Sequence, residues 1–396
     1  MKKILTNKGL LLLIFTALFG FSVGLFDNFR ELWLANQGLE PLSISRIISL
    51  SSIITVLVLL FFTIRVPKHI LEYGLTITLI LKMLTSSILI VLNNTNHLFL
   101  IKFLMFFDIA FIQVILSSIY PLMLRIDASD ELYTKKDVAE SLSSKLGILL
   151  ATILLGKTFC YILVDYNTCL LLSNIVTFLS FLVLINLNLR KEKTTKPLNI
   201  KNTYNYFKNN KIFILNLMHS IIGGIVWNSL IGMIMLTLTK NLNLSPNTSS
   251  FIILIVGLIS NFLALFIIKF MHFKNDHIGH FVKFGFRIIL YLLVFITGSK
   301  PLFLITLIYL LLTDKTYNYI FSGYFINHIK SEYSLIYMIL SYASSLIGYA
   351  IGVIICGRVF DLAYKYLVLP ALIISIIHYL LGTYIIFKRT KTIESQ

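Results

Sequence analysis

The sequence predicts an all-α integral membrane protein of about twelve spanning helices. Three observations carry that reading. First, the 396 residues are 57% hydrophobic and only 13% charged, and the mean hydropathy is +0.88. Soluble domains run at about 45–50% apolar and about 25% charged, so this chain needs a non-aqueous solvent. Second, apolar runs of spanning length recur along the whole chain. Third, the basic residues gather in alternate loops.

The runs, bounded by polar or Pro/Gly/Asn clusters, cover residues 9–35, 42–64, 70–92, 97–125, 138–160 and 165–187. They continue over 211–239, 247–270, 279–299, 301–327, 333–357 and 363–387. The start, Met1-Lys2-Lys3 to Lys8 followed by Gly9-Leu10-Leu11-Leu12, has the charge pattern of a signal peptide. Its apolar run continues past an h-region and no small-x-small cleavage site follows, so it reads as a retained first helix. The one long polar stretch is Asn188 to Asn210, with Arg190, Lys191, Lys193, Lys196, Lys201 and Lys208. It divides the chain into residues 1–187, a linker over 188–210, and residues 211–396.

Orientation follows from the loops. Lys2, Lys3 and Lys8, Arg65 and Lys68, Arg125, Lys135 and Lys136, the linker, Lys269 and Lys274, Lys330, and Lys388, Arg389 and Lys391 share one side. The opposite loops, such as Asn36-Gln37-Gly38 and Asn93-Asn94-Thr95-Asn96, are mostly uncharged. Positive loops stay in the cytoplasm, so both termini are expected there. The net charge of +17 is a topology signal, which removes nucleic acid as a partner. Cys160, Cys169 and Cys356 are isolated and at no metal-ligand spacing.

The two halves repeat. Ser143-Ser144-Lys145-Leu146-Gly147, then Gly156-Lys157-Thr158-Phe159, returns 201 residues later as Ser344-Ser345-Leu346-Ile347-Gly348 and Gly357-Arg358-Val359-Phe360. Gly24 and Asn28 return 200 residues later as Gly224 and Asn228. Leu39-Glu40-Pro41-Leu42-Ser43 matches Leu244-Ser245-Pro246-Asn247-Thr248. The runs Leu98–Ile101 and Leu302–Ile305 are each followed by a lone acid, Asp108 and Asp314. A six-helix unit repeated in the same sense relates the halves by an axis along the membrane normal, as in one large group of secondary transporters.

Six plus six helices around a basic central loop resemble the major facilitator superfamily (MFS). The resemblance spans the chain and rests on architecture. The family's Gly-x-x-x-Asp-Arg-x-Gly-Arg-type loop after the second helix is replaced by Thr63-Ile64-Arg65-Val66-Pro67-Lys68-His69, and Asp108 lies in the region of the family's fourth-helix Arg. The resemblance implies that the first, fourth, seventh and tenth helices line a central cavity. Asp27, Asp108, Asp314, Trp227 and Asn228 fall on such helices.

A charge near the bilayer centre costs about 2.5–3.5 kcal/mol on insertion scales, so it has a partner or lines a cavity. Asp27, Arg30 and Glu31 lie at neighbouring helix positions. They form either a self-neutralising cluster near the outer boundary or a proton-exchange group tuned by Arg30. Asp108 and Asp314 lie near the midplane. They either carry protons or pair with Lys82, Lys102, Lys145 or Arg287 to fix packing. Tyr317, one turn from Asp314, joins Gln113, Trp227 and Asn28 as candidate walls of a solute cavity. The repeat-related Lys157 and Arg358 either pair with acids such as Asp165 and Asp361 at an outer gate or snorkel to the interface. Gly147, Gly156, Gly348, Gly352 and Gly357 suit close helix approach.

These features predict a secondary active transporter with no cofactor and no metal, acting as a monomer in a bacterial cell membrane. Its expected task is proton-coupled export of a small organic, drug-like or peptide-like molecule. Uptake of a nutrient by symport is the alternative. From other classes, the rivals are a transport-fold receptor or immunity protein and a membrane-embedded enzyme. No Gly-x-x-x-x-Gly-Lys-Ser/Thr loop is present, which argues against ATP hydrolysis. The group His272, His277 and His280 with Asp276 reads as a solvated loop, so an enzyme is not expected.

Overall fold

Backbone groups in a bilayer have no water to bond, so a chain this apolar must satisfy them within helices. The computed structural model describes residues 7–65, 70–92, 97–126, 130–159, 162–187, 200–270, 276–313, 329 and 331–394. Their helices are α1 (Asn7–Phe26), α2 (Arg30–Asn36), α3 (Pro41–Arg65), α4 (Ile70–Leu92), α5 (Leu98–Ile126), α6 (Asp130–Leu154), α7 (Tyr166–Asn186) and α8 (Ile200–Asn209). Then follow α9 (Lys211–Ile231), α10 (Ile234–Leu236), α11 (Pro246–Phe270), α12 (Asp276–His280) and α13 (Phe286–Thr297). The last three are α14 (Lys300–Thr313), α15 (Ser331–Val359) and α16 (Tyr364–Glu394).

Ten helical spans among the described residues are long and apolar enough to cross a membrane, which makes this a multi-pass membrane protein. Helix α6 lies outside that set because its first half carries Lys136 and Glu140, an ion pair at 2.6 Å with the lysine buried. Helix α14 is apolar but short over its described residues.

The chain divides into two compact units. One holds Met1–Leu39, Leu57–Pro197 and Ser245–Leu254; the other holds Glu40–Val56, Leu198–Leu244 and Ile255–Gln396. In the first, α1 packs on α6 and α7, and α4 on α5 and α7. Leu12, Phe15, Phe19, Leu79, Ile115 and Leu184 fill its core. In the second, α9 packs on α15 and α16, and α13 on α16. Each unit takes in the start of a helix from the other half of the sequence. Ser250 of α11 shares a hydrogen bond with Thr152 of α6, and Ser45 of α3 presses on Gly357 of α15.

The repeated glycines sit where two backbones meet. A Cβ on Gly24 would overlap the Ser144 carbonyl, and one on Gly147 the Phe21 carbonyl. In the second unit a Cβ on Gly224 would meet the Ser345 carbonyl, and one on Gly348 the Ile221 carbonyl. The same residue types thus make the same α1–α6 and α9–α15 crossings.

Other expectations are corrected. The first apolar run is not one helix: Asp27, Asn28 and Phe29 form a turn between α1 and α2. The run from 211 is also broken, after Ile231, and continues through α10 into a wide turn over Thr237–Asn241. Gly156-Lys157 and Gly357-Arg358 do not share a conformation. Helix α6 stops at Leu154 and Gly156 takes a positive φ of 76°. The chain then forms a two-residue hairpin, Thr158–Phe159 on Ile162–Leu163. Helix α15 instead runs on to Val359, and its bare Gly357 leaves room for Ser45. Finally, the end of the polar stretch folds as α8, whose Tyr206 stacks on Tyr333 at 4.3 Å and whose Phe207 stacks on Tyr337 at 6.1 Å.

Candidate functional site

Four helices of the first unit bring their polar side chains to one place. Asp108 of α5 is 1% exposed and accepts from Ser86 Oγ of α4 at 2.6 Å. One turn before Ser86 on α4, Lys82 is also buried and donates to Thr177 Oγ1 of α7 at 3.3 Å. Thr177 is bonded to Ser22 Oγ of α1 at 2.6 Å, and that hydroxyl reaches the Ser173 carbonyl at 2.9 Å. Asp27 lies at the α1–α2 turn, paired with Arg30. Asp27, Lys82 and Asp108 act on one another electrostatically.

The turn explains the placing of Asp27. Ending α1 at Phe26 lets the chain re-enter a helix at Arg30, so the guanidinium folds back on Asp27 while both stay within the span. A charge needs such support in lipid, since coupling between charges grows steeply as the local dielectric falls. Asp27 is ion-paired with Arg30 and feels the charges of Asp108 and Lys82. Lys82 and Asp108 act on each other electrostatically, each hydrogen-bonded to a hydroxyl, Thr177 and Ser86, that sequence reasoning did not select.

The remaining candidates are scattered. Asn28 is half-buried, and its Nδ2 has no hydrogen-bond partner among the described residues. Glu31 is buried in the first turn of α2. Gln113 is half-buried on α5 and Trp227 on α9. Asn228 is buried and bonds to the Gly224 carbonyl at 2.8 Å, so it serves its own helix. Lys157 and Arg358 are exposed. Asp165 is occupied as the cap of α7. Partial burial pushes its carboxyl up, but bonds from the Thr168 N–H and hydroxyl and the Asn167 amide outweigh this and hold it below the usual carboxylate range. Asp314 and Tyr317 lie outside the described residues.

The second unit holds a cluster that sequence reasoning passed over. His280 does not lie in a solvated loop. It is 1% exposed, and its Nε2 lies 3.0 Å from the Tyr379 carbonyl. His219 of α9 stacks on His378 of α16 at 4.0 Å, and both rings meet Phe284 edge-on. Lys283 and Arg287 each place a cation over the Phe284 ring, at 5.5 and 5.0 Å. The repeat offset was the available signal. Lys283, Arg287 and His378 follow Lys82, Ser86 and Thr177 by the same 201 residues. Among the described residues, no group of three His, Cys, Asp or Glu is arranged to hold a metal.

No family profile and no curated relative matches the sequence. Solved structures do match. The nucleoside transporter NupG aligns with a TM-score of 0.67 at 11% identity, over 96% of this chain and 98% of that one. The fold is that of the major facilitator superfamily. The human organic anion transporter MFSD10 shares it with a TM-score of 0.67 at 10% identity, over 95% of this chain and 99% of that one. A D-xylose-proton symporter gives 0.66 at 11% identity, over 93% and 96%. These neighbours are all transporters, and the superfamily fold spans nearly the full length of each.

Proposed function

We propose that this protein is a secondary active transporter that exports a small organic, drug-like or peptide-like molecule in exchange for protons, by alternating access. The observation that carries it is the burial of Asp108 and Lys82, with Asp27 of the α1–α2 turn acting on both. A carboxylate held beside an amine in a low-dielectric site can change its charge only by changing what its neighbours feel, which is the requirement for linking proton and solute. The major facilitator fold supports the transport class, and one neighbour bearing it is a proton symporter. In this reading twelve helices form two six-helix bundles, residues 1–187 and 211–396, with the linker and both termini in the cytoplasm. The chain acts as a monomer in a bacterial cell membrane. Asp314 extends the relay into the second half, Gln113, Trp227, Asn28, Asn228 and Tyr317 contact solute, and Lys157 and Arg358 act at the outer gate.

Proteoliposomes with an imposed pH gradient test this. An acidic lumen should drive the solute inward against its gradient in inside-out vesicles, and Asp108→Asn should abolish that drive while solute exchange persists. Asp27→Asn and Asp314→Asn should show the same separation. Uphill movement that survives in all three variants would leave the acids with packing roles only. Accumulation along the proton gradient rather than against it would assign uptake instead.

A further inference from the structure

The second unit buries positive charge of a kind that the first unit balances. In the first, a carboxylate acts on Lys82, that of Asp108. At the same repeat positions, 201 residues on, Lys82 and Ser86 become Lys283 and Arg287, and both cations are buried. Among the described residues no carboxylate pairs with Arg287. The groups that share its field include His378 of α16, Tyr291 one turn along α13, and Tyr309 of α14. Tyr309 is occupied, its hydroxyl donating to the Val282 carbonyl.

The Phe284 ring, 5.0 Å from the Arg287 guanidinium, offsets part of the cost of burying that charge. It leaves the donors unused. A guanidinium carries five N–H groups in a fixed fork, and the Nε of Arg287 is buried without a hydrogen bond among the described residues. Helix α13 packs on α16, and two residues one turn apart on α16 are in the same condition. Ser375 Oγ and His378 Nε2 are buried and likewise make no hydrogen bond among the described residues. A guanidinium, a hydroxyl and an imidazole can all donate, and none brings negative charge. Such a set repels a metal ion. An oxyanion meets both needs at once, since it neutralises the cation and its oxygens accept from the orphaned donors. The planar fork matches a carboxylate or a phosphate bidentately.

We propose that Arg287, with Ser375 and His378, forms a site in the second unit for an oxyanion, the carboxylate or phosphate group of a solute. Arg287 supplies the paired N–H bonds, and Ser375 and His378 donate to the remaining lone pairs. Arg287 is 2% exposed, so the anion enters as α13 parts from α16 and is desolvated with the guanidinium. That the anion belongs to the transported solute rests on the transporter reading; the oxyanion site itself does not.

Thermal melting of the full chain in phosphatidylcholine nanodiscs, in inorganic phosphate against chloride at equal ionic strength, tests the site. Phosphate should raise the midpoint of the parent, because a ligand that binds only the folded state stabilises it. Arg287→Met should abolish that rise. In chloride it should also melt above the parent, since an apolar side chain of similar reach buries no unpaired charge. Arg287→Lys keeps the charge without the fork, and its phosphate affinity should be about tenfold weaker. If Arg287→Met does not fold, Ser375→Ala should weaken phosphate by about tenfold through one lost bond to an ion, and the parent titration needs no variant. A parent that ignores phosphate would overturn the site, as would a rise that persists in Arg287→Met. So would an Arg287→Met protein that folds but melts below the parent in chloride, because a carboxylate of the chain would then already neutralise the guanidinium. Nanodiscs containing phosphatidylglycerol separate the sources. Loss of the phosphate response there would assign the anion to a lipid headgroup and overturn the solute, whereas an unchanged response supports it. Every readout is equilibrium binding, so this site and proton-driven export can each fail alone.

Discussion

The two units solve one packing problem with different chemistry. Each crosses a pair of helices through bare backbone, Gly24 on Gly147 and Gly224 on Gly348. Each also buries a lysine at the same repeat position, Lys82 and Lys283. In the first unit that amine has hydroxyls and carboxylates for company, Thr177, Ser86 and Asp108. In the second, its neighbours include imidazoles, a guanidinium and an aromatic ring. Helix crossings tolerate little change, because any side chain there collides with a carbonyl. The polar positions behind them are free to differ, and there the units have acquired different charge.

The largest expected effect tests the shared part. Gly147→Leu and Gly348→Leu should each cost about 3 kcal/mol, the upper end for overpacking, since a clash with backbone cannot relax by a rotamer change. Both variants should be lost from the folded peak in size-exclusion chromatography. A folded variant at one site only would show that the two crossings are not equivalent.

The next tests address the part that differs. Thr177→Ala removes the acceptor of Lys82 and the partner of Ser22. An unsatisfied buried polar group costs about 1–3 kcal/mol, so the thermal midpoint in detergent should fall, with Thr177→Ser restoring it. Phe284→Leu takes away the ring that faces Lys283 and Arg287. Lost packing and cation–π contact should lower stability by about 1–2 kcal/mol. A Phe284→Leu protein as stable as its parent would show that those cations are held by other groups.

The smallest effect lies outside the membrane. Asp165→Ala should cost about 1 kcal/mol through the lost cap of α7. Because the folded carboxyl titrates below its unfolded value, the cap's contribution is present above the unfolded pKa and fades as pH falls through the folded one. The difference between parent and variant should therefore shrink on acidification, which thermal shifts across the acid range would show.

Ten of the spans and the close approaches at Gly147, Gly348, Gly352 and Gly357 were legible in the sequence because both depend on local residue type, whereas Gly156 serves a turn instead. A bilayer demands a continuous apolar run, and a backbone contact demands glycine. The break at Asp27 was not legible, since an apolar run looks the same whether or not its helix is interrupted. The link from Asp108 to Ser86 and Lys82 was half-visible: the charges stood out, the serine did not. The histidines were missed because each lies on a different helix, and His280 adjoins a loop with other histidines. Matching Lys82 to Lys283 and Thr177 to His378 would have pointed to the same place in the second unit.

The Gly24–Gly147 crossing also bears on how the chain is made. Helix α6 holds an ion pair near its start and is absent from the set of helices apolar enough for lipid. Such a segment leaves the translocon poorly by its own hydropathy. Its closest companion, α1, precedes it in the chain and offers a bare backbone strip for α6 to dock on. Packing on α1 therefore supplies support that the hydropathy of α6 does not. In the counterpart pair, α9 and α15 each belong to a span long and apolar enough for the bilayer.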